Sequence, residues 1–171
     1  MSLIPAWVEG KLTPVDKLEV HRRGLRHPAI SVFVMDGPRT LLQRRAETKY
    51  HTPGLWTNAC CTHPHWGEDM AACAARRLEE ELGITGLPLV HRAQIEYRAD
   101  VGGGLTEHEL VDVYLAHGRP EPVPNPEEVS ETRWIGLDAL RAETETNPER
   151  FTPWLRIYLT QHAQRIFAET A

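Results

Sequence analysis

The sequence has few cysteines and no cysteine framework. Its three cysteines include the adjacent pair Cys60 and Cys61, and an odd set of this kind is unsuited to a disulfide scaffold. Reduced thiols are the better interpretation, and they predict a cytoplasmic protein. Closely spaced metal motifs such as C-x-x-C and H-E-x-x-H are also missing, so any metal site must be assembled by the fold.

Long apolar runs and excess positive charge are missing as well. No stretch is apolar enough to span a membrane, and residues 1–5 lack the basic and apolar segments of a signal peptide. The net charge of −5 argues against general binding to nucleic acid or to anionic membranes. With 171 residues, the chain is expected to form one domain with a substantial core.

The apolar pattern predicts strands and helices without regular βαβ alternation. Strands are predicted at residues 29–35, 40–45, 89–101, 105–116 and 132–135. Helices are predicted at residues 13–24, 68–82, 137–143 and 152–168, two of them from hydroxyl–proline starts at Thr13 and Thr152. This mixture favours an α+β fold or a three-layer sandwich over a doubly wound sheet.

Residues 58–64, Asn-Ala-Cys-Cys-Thr-His-Pro, place a thiol two residues from an imidazole. In an extended segment, Cys61 and His63 face one side, and Cys60 and Thr62 face the other. The pattern suits a site, either a Cys–His nucleophilic pair or two groups with separate tasks.

Glu107 and Glu109 form a second pair. On a strand they share one face, roughly 7 Å apart, and the same row continues with Val111 and Val113. Two carboxylates at the end of a core-facing row need a cation or a shared proton. They are either metal ligands, one of them also an acid, or a solvated strand end.

Three of the nine histidines, His21, His27 and His63, lie near the ends of predicted elements. Imidazole and carboxylate together suit Zn, Mn or Fe, and Mg where oxygens dominate. Spacing alone also allows these histidines to be structural.

Several cations are candidates for binding a polyanion. Arg77 and Glu81 are four apart on a predicted helix, so they form either a helical ion pair or a phosphate and metal contact. Lys17, Arg45 and Lys49 are solvated surface unless the fold gathers them around Arg77.

Two aromatic residues have alternative roles. If the hairpin turns near Gly103, Tyr97 lies opposite Glu109 and either relays a proton or makes a cross-strand contact. Trp154 is either core or a face that stabilises a cation.

Part of the chain resembles the Nudix box, a loop–helix motif that binds a metal ion and a diphosphate. The matching residues are Glu68, Arg76, Leu78, Glu80, Glu81, Gly83 and Ile84. Thr62 stands where the box has glycine, and Arg77 stands where it has a metal-binding glutamate. The second departure argues against pyrophosphate cleavage.

A more specific resemblance runs from Lys17 to Trp154. The segments 21–27, 31–33, 43–45, 56–64, 97–99 and 107–109 resemble the type 1 isopentenyl-diphosphate Δ-isomerases. This resemblance implies a Nudix-type α/β/α sandwich with a mixed sheet. It also implies one domain over residues 1–171, with an N-terminal extension (1–27) that contributes metal ligands and a C-terminal helix (147–171).

The resemblance also implies a set of roles. A divalent metal, Mn²⁺, Zn²⁺ or Mg²⁺, would be held by His21, His27, His63, Glu107 and Glu109. Protons would be exchanged by Cys61 and by Glu109 assisted by Tyr97. Glu81 would bind a diphosphate-bridging Mg²⁺. The diphosphate would be held by Lys17, Arg45, Lys49 and Arg77, and Trp154 would stack against a carbocation.

The implied activity is interconversion of isopentenyl and dimethylallyl diphosphate in isoprenoid biosynthesis, by a monomer or weak homo-oligomer. The alternatives are a Nudix hydrolase of a nucleoside or sugar diphosphate and a non-catalytic binding module on the same fold.

Overall fold

The computed structural model describes residues 2–168, which form a mixed β-sheet between helices. Its strands are β1 Leu3–Val8, β2 Lys11–Asp16, β3 Arg26–Asp36, β4 Arg39–Arg45, β5 Trp56–Asn58, β6 Cys60–Thr62, β7 Leu89–Gly102, β8 Leu105–His117 and β9 Val129–Gly136. Its α-helices are α1 Lys17–Arg23, α2 Met70–Leu82, α3 Leu137–Thr146, α4 Pro153–Gln161 and α5 Ala163–Phe167.

The main sheet has the order β5-β4-β3-β8-β7, with β6 beside β3 and β9 beside β4. Within the described residues, β3 and β8 form the one parallel pair, and the remaining pairs are antiparallel. Strands β1 and β2 form a separate hairpin at the N-terminal end. The predicted α+β class with a mixed sheet is confirmed.

Alternation along β3 separates two cores. Phe33 faces a cluster that contains Tyr158 of α4, whereas Val32 faces a cluster that contains Leu78 of α2. Because successive strand residues point to opposite faces, each face of β3 can bury one apolar row under a different helix. The result is the expected α/β/α sandwich.

The β7–β8 hairpin turns on three glycines. Gly102, Gly103 and Gly104 have φ values of 86°, 63° and 75°, a region that residues with a Cβ rarely adopt. The resulting register pairs Tyr97 with Glu109. The cross-strand position predicted for Tyr97 is therefore confirmed.

The helix predicted to start at Thr13 is wrong. Residues 11–16 are β2, with Pro14 opposite Pro5 in a two-stranded hairpin where a missing N–H is tolerated. Helix α1 starts three residues later than Pro14, because Asp16 Oδ1 accepts the Leu18 and Glu19 N–H groups at 3.1 and 3.2 Å.

The single C-terminal helix predicted to run to residue 168 is also wrong. It is interrupted at His162, whose φ of −132° and ψ of 8° are not helical. Arg92 holds the second piece by donating to the carbonyl of Ile166 at 3.1 Å. The last three residues of the predicted segment 147–171 lie outside the described part of the chain.

None of the helices within residues 2–168 has the length and apolar character that crossing a membrane requires.

Candidate active site

One cleft gathers the side chains that the sequence marked as candidates. It lies beside the C-terminal half of β6 and the start of β8, and His21 and His27 are buried behind it. The predicted site residues that line it are Lys17, Arg45, Lys49, Cys61, His63, Arg77, Glu81, Tyr97, Glu107, Glu109 and Trp154. Glu107 and Glu109 are buried rather than solvated, and Lys17, Arg45 and Lys49 line the same cleft as Arg77.

Two buried histidines present a defined nitrogen to the cleft. His21 Nδ1 donates to the Lys17 carbonyl at 2.7 Å, and His27 Nδ1 donates to the Leu25 carbonyl at 2.7 Å. Since a carbonyl can only accept, the proton of a neutral ring lies on Nδ1 and the lone pair lies on Nε2. This is the arrangement found in histidines that bind metals.

The Nε2 atoms point at carboxylate oxygens. His21 Nε2 lies 2.9 Å from Glu107 Oε1, His27 Nε2 lies 3.2 Å from Glu109 Oε2, and His63 Nε2 lies 2.8 Å from the same Glu109 oxygen. One ligand atom from each of His21, His27, His63 and Glu107 falls within 4.8 Å of the others.

Lone pairs that converge in this way require a proton or a cation between them. Glu107 Oε2 is moreover buried without a hydrogen-bond partner in the described structure. The residues present therefore fit a divalent metal, and the nitrogen–oxygen donor set is compatible with several ions.

The contacts within this cluster shift the pKa values of His27 and Glu107 in opposite directions. Burial lowers the pKa of His27, but hydrogen bonds to Glu107 and Glu109 outweigh it and raise that pKa to about 10. For Glu107 the effects have the opposite sign. Burial raises the pKa of this carboxyl, but hydrogen bonds from the surrounding imidazoles outweigh burial and hold the pKa well below its usual range. A metal that binds here must displace the His27 proton.

Cys61 lies in a ring of hydrogen-bonding groups. Trp154 Nε1 donates to its sulfur at 3.1 Å, and Asn58 Oδ1 and Ser31 Oγ each lie 3.1 Å away. The Asn58 amide nitrogen donates to the carbonyls of Val32 and Cys60, so its oxygen must face the thiol. Burial raises the pKa of Cys61 to about 12, because the neutral thiol is favoured away from water.

Cys60 points away from the cleft, as its parity predicts. It is fully buried in the cluster under α2, whereas Cys61 contacts the opposite cluster. Cys61 and His63 share the cleft face.

Tyr97 and Glu109 are joined directly. The Tyr97 hydroxyl donates to Glu109 Oε1, and both side chains are buried at the base of the cleft. Burial and the nearby charge of Glu109 raise the pKa of Tyr97, so the phenol keeps its proton.

The cations form one wall of the cleft. Arg77 donates to Glu128 at 3.3 Å, and Lys49 pairs with the same carboxylate. Arg45 lies over the Trp154 ring, 5.4 Å from its centroid. Burial and, to a smaller extent, the neighbouring cations Lys49 and Arg77 lower the pKa of Lys17 to about 8.

Glu81 is the metal-ligand candidate that lies outside the histidine cluster. Its oxygens accept from Arg77 Nη2 at 2.7 Å and from Gln43 Nε2 at 3.0 Å. It lines the cleft beside the cations, so an ion that bound there would have to displace these donors.

Four residues of the site were not singled out from the sequence. His51 and Tyr50 line the cleft, and Ser31 connects Cys61 to Tyr158 through hydroxyl contacts of 3.1 and 2.8 Å. Only the position of His51 two residues after Lys49 could have signalled its place. Ser31 lies in segment 31–33 of the resemblance but has no role there, and Tyr158 carries no sequence signal, because the two meet through the packing of α4 on β3.

The fold defines the class of protein. The NUDIX domain profile matches residues 25–155. A solved structure from Deinococcus radiodurans superposes with a TM-score of 0.75 at 14% identity, covering 96% of this chain and 98% of that one. At this identity, the likeness shows the shared fold alone.

Curated relatives narrow the class. A Cereibacter sphaeroides protein named isopentenyl-diphosphate Delta-isomerase is 64% identical over 170 residues, which cover 98% of this chain and 96% of that protein. A Rhodobacter capsulatus protein of the same name is 64% identical over 168 residues, 97% of this chain and 96% of its own length. The chain belongs to the isopentenyl-diphosphate Delta-isomerase family of NUDIX-domain proteins.

Proposed function

We propose that this enzyme interconverts isopentenyl diphosphate and dimethylallyl diphosphate through a tertiary carbocation. A proton is added to the terminal CH₂ carbon of the alkene, and another is removed from the carbon on the far side of the cation. The double bond moves by one position and the composition is unchanged. The observation that carries the proposal is one cleft that holds Cys61, the Tyr97–Glu109 pair and a wall of four cations.

The cations position the substrate by its diphosphate. Lys17, Arg45, Lys49 and Arg77 offer charge and N–H donors on one wall, and Glu81 would hold the Mg²⁺ that accompanies the diphosphate. Binding energy from this remote group is available to place the alkene between the proton-transfer groups.

Proton transfer is assigned to Glu109, assisted by Tyr97, and to Cys61. Toward dimethylallyl diphosphate, the Glu109 side gives a proton and Cys61 takes one; in reverse the two exchange roles. Since burial raises the pKa of Cys61 to about 12, the substrate-free site keeps a proton on sulfur. A forward turnover also leaves Cys61 protonated and Glu109 without the proton that it gave. Before the next forward turnover, Cys61 must therefore lose its proton and the Glu109 side must regain one.

The carbocation needs protection from water. Trp154 is 3% exposed and its N–H contacts the Cys61 sulfur, so its indole presents π density beside the reacting carbon. A divalent ion held by His21, His27, His63, Glu107 and Glu109 would add positive charge that keeps the Glu109 carboxylate in place and sets its pKa.

The hydrolase alternative is not favoured. Arg77 occupies the position of a metal-binding glutamate in the Nudix box, and it donates to Glu81 at 2.7 Å. A cation at this point binds a diphosphate but cannot bind a catalytic metal.

The test is incubation with isopentenyl diphosphate and Mg²⁺, followed by product analysis. We expect dimethylallyl diphosphate, with deuterium incorporated from deuterated water. Release of phosphate or pyrophosphate would support the hydrolase instead, and an unchanged substrate would support a non-catalytic module.

A further inference from the structure

His51 contacts the proposed metal site from the loop between β4 and β5. It follows β4, is 5% exposed, and its Nε2 lies 2.9 Å from Glu107 Oε1. The same carboxylate oxygen contacts His21 Nε2. The two imidazoles differ in what their other nitrogen touches.

The outer partner of His51 is a hydroxyl. His51 Nδ1 lies 2.9 Å from Thr52 Oγ1, whereas His21 Nδ1 and His27 Nδ1 donate to carbonyls. A hydroxyl can donate as well as accept, so Nδ1 of His51 can carry the lone pair and Nε2 the proton. His51 can thus give a hydrogen bond to Glu107 as a neutral ring, which His21 cannot do.

Unlike His21, which contacts the same Glu107 oxygen, His51 is not in the group of ligand atoms that lie within 4.8 Å of one another. The group within 4.8 Å comprises His21, His27, His63 and Glu107. We propose that His51 is a positioning residue that donates from Nε2 to Glu107 and orients this carboxylate toward a divalent ion, with the Thr52 hydroxyl setting its tautomer. The inference rests on the metal site of the proposed function.

The backbone supports this placement. Thr52 has a φ of 45°, which is unusual for a β-branched residue, and such strain persists where surrounding contacts impose it. Arg45 Nη2 donates to the His51 carbonyl at 3.2 Å, and Gly54 N–H donates to the Arg45 carbonyl at 3.0 Å. The loop is therefore held in the conformation that brings His51 to Glu107.

The test is Mn²⁺ binding to the full chain by calorimetry, with the wild type and three variants. His51→Leu should weaken Mn²⁺ binding about 10–100-fold, the usual effect of losing an outer hydrogen bond to a ligand. His51→Gln, whose amide N–H can replace Nε2–H, should recover most of the affinity. Thr52→Val keeps the β-branched shape and should give a smaller loss in the same direction.

Pulsed electron paramagnetic resonance of bound Mn²⁺ adds a readout that is independent of activity. The number of coordinated nitrogens should be the same in the wild type and in His51→Leu, whereas His27→Ala should lose one. A lost nitrogen in His51→Leu would make His51 a ligand and overturn the proposal.

The remaining outcomes are separable. Wild-type affinity in His51→Leu overturns this inference and leaves the metal site intact. A wild-type chain that binds no Mn²⁺ at the histidines overturns both. If His51→Leu fails to fold, as judged by circular dichroism of the metal-free protein, Thr52→Val decides, and wild-type affinity in that variant overturns the proposal.

Discussion

Cys60 and Cys61 are adjacent in the chain but lie in different environments. Cys60 is fully buried under α2, whereas Cys61 faces the cleft and contacts Trp154, Asn58 and Ser31. Strand alternation alone separates the two thiols. Replacing each cysteine in turn therefore tests the role of the Cys61 sulfur, with the chemically identical Cys60 as the control.

Replacing Cys61 by alanine should lower turnover about 10²–10⁴-fold, because a positioned proton-transfer group contributes this much. Cys60→Ala should retain near-normal turnover and lose about 1 kcal/mol of unfolding free energy through the small cavity it leaves. Steady-state product formation and urea unfolding measure the two effects. Equal activity losses in both variants would show that the wrong sulfur has been assigned.

At the scale of elements, an ion pair between Glu68 and Arg76, here called the Glu68–Arg76 clamp, joins helix α2 to the loop before it. Arg76 donates to both oxygens of Glu68, at 2.7 and 2.9 Å, and Glu68 accepts the His65 N–H at 3.0 Å. This clamp orients the helix that carries Arg77 and Glu81 into the cleft. The side chains of Glu68 and Arg76 are 16% and 24% exposed, so solvent screens the pair only in part.

The clamp predicts a pH-dependent stability. The hydrogen bonds from Arg76 lower the pKa of Glu68 to about 2 from 4.5. The stabilisation is complete above the unfolded value and is lost as the pH falls through the folded value. Near pH 7, Glu68→Gln should lower the free energy of unfolding by about 1 kcal/mol, the upper range for a partly exposed bidentate pair.

The difference in unfolding free energy between Glu68→Gln and the wild type should shrink as the pH is lowered from about 4.5 to about 2. Urea unfolding at several pH values measures it. Glu79→Gln, on an exposed position of the same helix, is the matched control and should behave as the wild type does. A Glu68→Gln difference that is independent of pH would contradict an ionic origin.

At the scale of the whole molecule, the proposed metal site joins distant parts of the chain. His21 comes from α1, His27 from β3, His63 from the segment after β6, and Glu107 from β8. A bound ion would therefore link the N-terminal hairpin and helix to the central sheet. Because the ion would bind the folded state, its binding should raise the free energy of unfolding of the whole domain.

Removing divalent ions with a chelator should lower the Tm. An ion present at 100 times its Kd contributes about 2.7 kcal/mol, which corresponds to about 5–10 °C for a chain of this size. Differential scanning calorimetry measures the shift. It should vanish in His27→Ala and persist in His91→Ala, an exposed histidine bound to Asp112 at 2.8 Å. A chelator-insensitive wild type would argue against the metal site.

Strand and helix identity followed well from local pattern where the apolar period was long. Strands β3, β4, β7 and β8 and helix α2 were predicted with ends close to those observed. The exceptions had competing local signals. Thr13-Pro14 resembles a helix start, but Asp16 caps the helix instead. The C-terminal segment has helical periodicity throughout, but its backbone leaves the helical conformation at His162.

The sequence by itself determined which chemistry the chain can carry, because parity and helical spacing are local properties. They placed Cys61 and His63 on one face, Glu107 beside Glu109, and Tyr97 opposite Glu109. Only the tertiary structure decided that Lys17, Arg45 and Lys49 meet Arg77, and that His51 reaches Glu107. Those contacts join residues from separate loops and elements, and no local rule specifies how the loop that carries His51 folds back over the sheet.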